Sequence, residues 1–149
     1  MRAYRISSVW FPVFSGKGAE IAGGRWNSPG RPVIYCAGSY ALAMLERLVH
    51  ARRGEVLPQD HRVVAEVPDD TIETAAAGDV SDWDSADYAA AQAFGDRWLD
   101  EARSAALAVP SVVTRIDHDL VLNPTHPRFT EITVGEERPV VWDRRLFAR

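Results

Sequence analysis

The stretch GGRWNSPGRPVIYCAGSYALAMLERLVH, residues 23–50, gathers unlike chemical groups in a short length of chain. Arg25, Trp26 and Asn27 follow two glycines, Tyr35 lies in an apolar run, and Glu46 stands beyond it. One guanidinium, one phenol and one carboxylate are a poor kit for hydrolysing an ordinary ester or peptide, which calls for an activated nucleophile beside a base. They suit a substrate that brings its own phosphates and its own leaving group. A planar arginine fork matches phosphate oxygens, and glycines let the backbone come close to a ligand.

Other chemistries lack their residues. GKGAEIAGG contains Gly-Lys without the spacing or the following Ser or Thr of a phosphate-binding P-loop. CAGSYA is only a partial echo of a nucleophile elbow. His50, His61, His118 and His126 are scattered, no HExxH occurs, and Cys36 is the one cysteine, so no metal site is expected. A glycosidase pair needs a second carboxylate facing the first, and only Glu46 stands out by context.

The elements that must position these groups can be read from pattern. YRIS (4–7) predicts a first strand. Residues 8–31 read as a long loop rich in glycine, of the kind that is often functional. PVIYC (32–36) predicts a buried strand, and Ser39 a cap for a helix over 40–52 that Gly54 ends. At about 100° per residue, Ala41, Leu45, Leu48 and Val49 form the apolar stripe expected to face the core, with Leu42 at its edge and Glu46 beyond Leu42, on the rim of the buried face.

HRVVAEVP (61–68) predicts another strand, and 69–83 reads as irregular with room for an edge strand. A long helix is expected over 84–104, capped by Asp84 or Ser85, with Tyr88, Ala91, Phe94, Trp98 and Ala102 along one face. AALAVPSVV (105–113) predicts a strand interrupted by Pro110, and LVLNPTHPRF a short apolar run followed by turns. FTEITV and PVVWDRRLF predict two closing strands joined at GEER. The expectation is α+β: a single domain over 1–149, with several strands flanked by two main helices.

Composition agrees with a globular domain, at 46% hydrophobic and 26% charged residues. Five tryptophans hint at an aromatic-lined pocket, although Trp98 and Trp142 read as core-filling. The net charge of −4 argues against a nonspecific nucleic-acid binder, despite the basic end RPVVWDRRLFAR. Cys36 reads as a small core residue. MRAYRISSVWF has no apolar run of signal-peptide length and no segment has the length of a membrane span. The expectation is a soluble, cytoplasmic, bacterial protein.

Four segments together resemble the RES family, toxins of bacterial toxin–antitoxin pairs. YRIS resembles its opening strand, and residues 23–50 its signature block with Arg25, Tyr35 and Glu46. VPSVV supplies Ser111, while LNPTHPRF and WDRRLF resemble its closing segments. The resemblance implies an ADP-ribosyltransferase-like fold and consumption of NAD+ as substrate, by hydrolysis, by phosphorolysis or by transfer of ADP-ribose to a protein. It also implies a partner, an Xre-like antitoxin that occludes the active site.

On that footing Glu46 would stabilise the oxocarbenium-like ribose left when nicotinamide departs. Arg25, with Arg5 as a second candidate, would bind the pyrophosphate. Tyr35 would lay its ring against the cationic nicotinamide, Trp26 would wall the pocket, and Ser111 would hydrogen-bond the nicotinamide amide or a ribose hydroxyl. Asn123 and His126 read as holders of their turn. By residue type alone, Glu46 reads as a solvated helix residue and Tyr35 as a core tyrosine. A ribonuclease-type toxin and a binding module without catalysis are the alternatives.

Overall fold

Seven residues, Arg2–Ser8, form strand β1 in the computed structural model, which describes residues 1–51 and 59–147. The other strands are β2 (Ile34–Ala37), β3 (Asp60–Glu66), β4 (Ile72–Thr74), β5 (Ala106–Pro110), β6 (His118–Leu122), β7 (Thr133–Val134) and β8 (Arg138–Pro139). Three helices accompany them: α1 (Lys17–Ala22), α2 (Tyr40–His50) and α3 (Ala89–Asp100). The strands make one sheet in the order β4-β5-β6-β2-β1-β3-β7, with β8 also on β3. Among the described residues only the β4–β5 pair is parallel. The helix stop expected at Gly54 lies outside the described residues.

Register decides which side chains share a face, because opposed residues on paired strands point the same way. Tyr4 pairs with Ala37, Ala37 with Asp119, and Asp119 with Val109, so one row crosses four strands. Toward that face pack α2, through Leu42 and Ala43, and an aromatic cluster of Trp26, Trp83 and Trp98 over Leu107, Val109 and Val121. The opposite face holds Ala3, Cys36, Ala65, Leu120 and Leu122, with Phe14 and Phe129 against them. Trp98 is completely buried, and its indole N–H donates to Ser104 Oγ at 2.8 Å, as a buried indole requires.

Several expectations are corrected. The 8–31 loop contains α1. The long helix starts at Ala89, not at Asp84 or Ser85, and ends at Asp100. Tyr88 precedes it in a left-handed conformation with φ 63°, and Ala102 follows it with φ 46°. Asp87, not Asp84, supplies the cap-like bond, accepting from the Ala89 N–H at 3.0 Å. Pro110 ends β5 instead of interrupting a strand, and residues 111–113 leave the sheet.

The run LVL is the second half of β6, a strand between β5 and β2. FTEITV and PVVWDRRLF do not form a hairpin. Pro127–Glu131 is a 3₁₀ turn, and β7 and β8 each pair with β3 over two residues. Trp142 is only partly buried, its ring edge-on to Phe147 at 5.9 Å. Asn123 is buried and accepts from the Thr125 N–H, while His126 Nδ1 accepts from the Arg128 N–H, and these bonds shape the turn.

Candidate active site

The helix that carries Glu46 is turned from its expected orientation. Ser39 caps α2 by accepting from the Leu42 N–H at 3.1 Å. Leu42 and Ala43 face the sheet, and Glu46 and Arg47 follow them one turn later on the same side. Much of the stripe expected inward is exposed instead: Leu45 is 45% and Val49 60% exposed, and Ala41 is exposed as well, while Leu48 is half-buried. The second half of α2 overlies a cavity and not packed core, so its inward positions carry polar groups. Arg47 reaches the buried Asp60, Nε to Oδ2 at 3.0 Å, and ties α2 to the start of β3.

The glycine-rich loop is built against β2 and α3. The Tyr35 hydroxyl donates to Asn27 Oδ1 at 2.7 Å and accepts from the Trp26 N–H at 2.9 Å. Burial pushes its phenol well above the ordinary range, so it remains a neutral donor. Gly24 lies against this phenol so closely that a Cβ there would sit 2.6 Å from the hydroxyl oxygen. Asn27 is fully buried and donates to the carbonyls of Ala19 and Arg31, both at 2.9 Å.

From α3, Gln92 donates to the Gly24 carbonyl at 2.9 Å, and Asp96 accepts from the Ser28 N–H at 3.0 Å. Gly95 lets the Trp26 carbonyl touch the helix, since a Cβ there would lie 1.8 Å from that oxygen. Trp26 is 3% exposed, stacked on Trp83 at 6.5 Å and edge-on to Phe94, so it forms a buried wall and not an open stacking platform.

This loop places Arg25. Its Nη1 donates to the carbonyls of Ser85 at 2.8 Å and Trp83 at 3.1 Å, and its guanidinium lies 4.3 Å over the Tyr88 ring. These bonds tie the non-helical segment before α3 to the loop at the Trp83 and Ser85 carbonyls. Among the described residues nothing bonds Arg25 Nε or Nη2. Arg5 lies deeper. It donates to the carbonyls of Val13 and, at 2.7 Å, of Tyr35, and no carboxylate pairs with it among the described residues. Burial lowers its pKa, which is the mark of a cation held without a counter-ion.

Ser111 is completely buried. Its oxygen accepts from the N–H groups of Val113 at 3.2 Å and Thr114 at 3.3 Å, and its hydroxyl donates to Glu46 Oε1 at 3.1 Å. Ser111 therefore stands behind Glu46 and bonds it through the hydroxyl that the resemblance implies would meet nicotinamide or ribose. Beside them lies Asp119, which sequence reading missed. Burial, then the neighbouring Glu46 carboxyl, push its carboxyl up to about 8. The available signal was modest: one acid at the polar start of the apolar run of β6.

Arg5, Arg25, Trp26, Tyr35, Glu46 and Asp119 meet at one cavity of about 590 Å³. That volume lies within the range of roughly 300–1,000 Å³ usual for small-molecule sites. It presents two guanidinium groups without carboxylate partners and a carboxyl pair on one wall. Among the described residues no three His, Cys, Asp or Glu side chains gather as a metal cradle, and no helix is long and apolar enough to cross a membrane.

Comparison with known proteins shows the family and the fold. The RES domain family model matches residues 2–143. A Sphingobium protein named Prs ADP-ribosylating toxin is 36% identical over 140 residues, covering 91% of this chain and 87% of its own length. A Yersinia enterocolitica protein named Toxin Res is 39% identical over 132 residues, covering 87% of this chain and 83% of its own. In fold, the chain is similar to a structure of the M. tuberculosis MbcT–MbcA toxin–antitoxin complex. The TM-score is 0.76 at 21% identity, over 98% of this chain and 86% of that one.

Proposed function

Because the chain belongs to the RES domain family, we propose that it is the toxin of a toxin–antitoxin pair and cleaves the nicotinamide–ribose bond of NAD+, passing ADP-ribose to an acceptor. The observation that carries this reading is Glu46, held by the Ser111 hydroxyl in the wall of a cavity that also presents Arg5 and Arg25.

The chemistry follows from the charges. Nicotinamide leaves as a neutral base and needs no proton, so no general acid is required at the bond. The ribose left behind is oxocarbenium-like, and a fixed carboxylate at that carbon lowers the barrier. Glu46 takes that role. A hydroxyl donor behind it limits its rotation, so the carboxylate reorganises little during the reaction. Arg5 and Arg25 bind the pyrophosphate, Arg25 through the Nε and Nη2 edge that its backbone anchors leave open. Tyr35 offers its ring to the cationic nicotinamide, while its hydroxyl holds the loop.

The likeness to a protein named Prs ADP-ribosylating toxin favours a protein side chain as acceptor over water or phosphate. An Xre-like antitoxin that covers the cavity mouth restrains the toxin in the cytoplasm. The test is purified protein with NAD+, following nicotinamide release with and without phosphate and with and without cell lysate. Lysate-dependent labelling of one protein band supports transfer. Absence of release under every condition contradicts the reading.

A further inference from the structure

The carboxyl of Asp119 has no place in the scheme above, yet it lies on the cavity wall beside the group that does the chemistry. The sheet fixes it there, since β6 register sets Asp119 between Ala37 of β2 and Val109 of β5. Its Oδ1 is buried and has no hydrogen-bond partner among the described residues. Two carboxyls side by side, both ionised, would repel and leave that oxygen without a donor. One proton between them removes both problems.

We infer that Asp119 and Glu46 share one proton, and that Asp119 is a positioning residue whose carboxyl O–H fixes Glu46 together with the Ser111 hydroxyl. Glu46 then accepts from two donors and turns its remaining lone pairs to the cavity. The groups facing Asp119 favour this state. Glu46 looks at it from α2 and Asp117 from the chain just before β6, both acidic. The Cys36 thiol of β2, on the other face of the sheet, is pushed up to about 12, chiefly by burial, and stays neutral. Arg47 on α2 is taken by Asp60, and Arg5 by the Val13 and Tyr35 carbonyls.

The sign of the pH dependence follows. Asp119 titrates higher in the folded chain than in the unfolded one, so folding favours its protonated form. Its contribution to stability is full at low pH and is lost as pH rises from about 4 toward about 8. The same ionisation puts a second negative charge beside Glu46 and breaks the donated bond, so turnover falls on the alkaline side.

This inference rests on the reading of Glu46 as the group facing the ribose, and the experiment separates the two. Protein carrying carboxyl-labelled aspartate is titrated by carbon-13 NMR, as wild type, Asp119→Asn and Glu46→Gln. The expected result is one wild-type aspartate that keeps its proton through neutral pH, is missing in Asp119→Asn, and titrates at least about one unit lower in Glu46→Gln, where the like charge is gone. Wild-type aspartates that all titrate below about pH 6, or a high midpoint unmoved in Glu46→Gln, would overturn the shared proton.

The second arm is the pH profile of nicotinamide release from NAD+. Asp119→Asn keeps a permanent N–H donor toward Glu46, so it should retain turnover and lose the alkaline fall. An Asn variant that keeps the fall contradicts the positioning role. Wild-type protein that releases no nicotinamide while the NMR titration behaves as expected would count against the NAD+ reading alone.

Discussion

The Ser111 hydroxyl points its proton at Glu46 because its oxygen is already occupied. Two backbone N–H groups, from Val113 and Thr114, donate to that oxygen at 3.2 and 3.3 Å, and the hydroxyl donates to Glu46 Oε1 at 3.1 Å. A serine and a glutamate that are 65 residues apart in sequence thus act as one unit.

Ser111→Ala removes a bond to a charged acceptor. A loss of about 1.5–3 kcal/mol corresponds to roughly 10- to 100-fold in turnover. Ser111 acts through Glu46, so the double variant with Glu46→Gln should be little worse than Glu46→Gln alone. The check is a double-mutant cycle on nicotinamide release, and additive losses would mean that Ser111 acts independently.

The contact between Gly95 and the Trp26 carbonyl is a steric limit, with a Cβ placed 1.8 Å from backbone. Gly95→Ala must push the loop off α3, at a cost on the order of 1–3 kcal/mol or more. Arg25 and Trp26 move with that loop, so NAD+ affinity should fall as well. Gly78→Ala meets nothing within 4 Å and should leave both melting temperature and affinity unchanged. Thermal melts and calorimetry on the two variants decide the point.

Arg25→Lys keeps the charge and loses the planar fork. It cannot hold the Trp83 and Ser85 carbonyls and present an N–H edge to phosphate at the same time. NAD+ binding should weaken by roughly 1.5–3 kcal/mol, and residues 83–88 should exchange amide hydrogens faster. Unchanged affinity by calorimetry would remove Arg25 from the phosphate site.

What was legible in the sequence follows a physical line. The Ser39 cap and the strand around Tyr35 depend on local residues and were read correctly to within a residue or two. The start of α3 lies later than local residues suggest, and the segment before it is held at the Trp83 and Ser85 carbonyls by Arg25, about 60 residues earlier. The face of α2 was misread because apolar periodicity assumes that the inward side is core. Here the inward side is a cavity, Leu45 looks out, and Val49 stands exposed at the cavity's edge. No local pattern reveals that the Ser111 hydroxyl bonds Glu46. Asp119 carries no motif, and only strand register brings it to Glu46.

The account turns on Glu46, and its most direct test is the single-turnover rate of nicotinamide release by Glu46→Gln, measured beside its melting temperature. Glutamine matches glutamate in size, still accepts from the Ser111 hydroxyl and removes the like charge next to Asp119, so the melting temperature should hold or rise. The rate should fall by on the order of 10² or more while NAD+ still binds, because the fixed negative charge facing the ribose is gone. A folded Glu46→Gln variant that releases nicotinamide at near the wild-type rate would contradict the account.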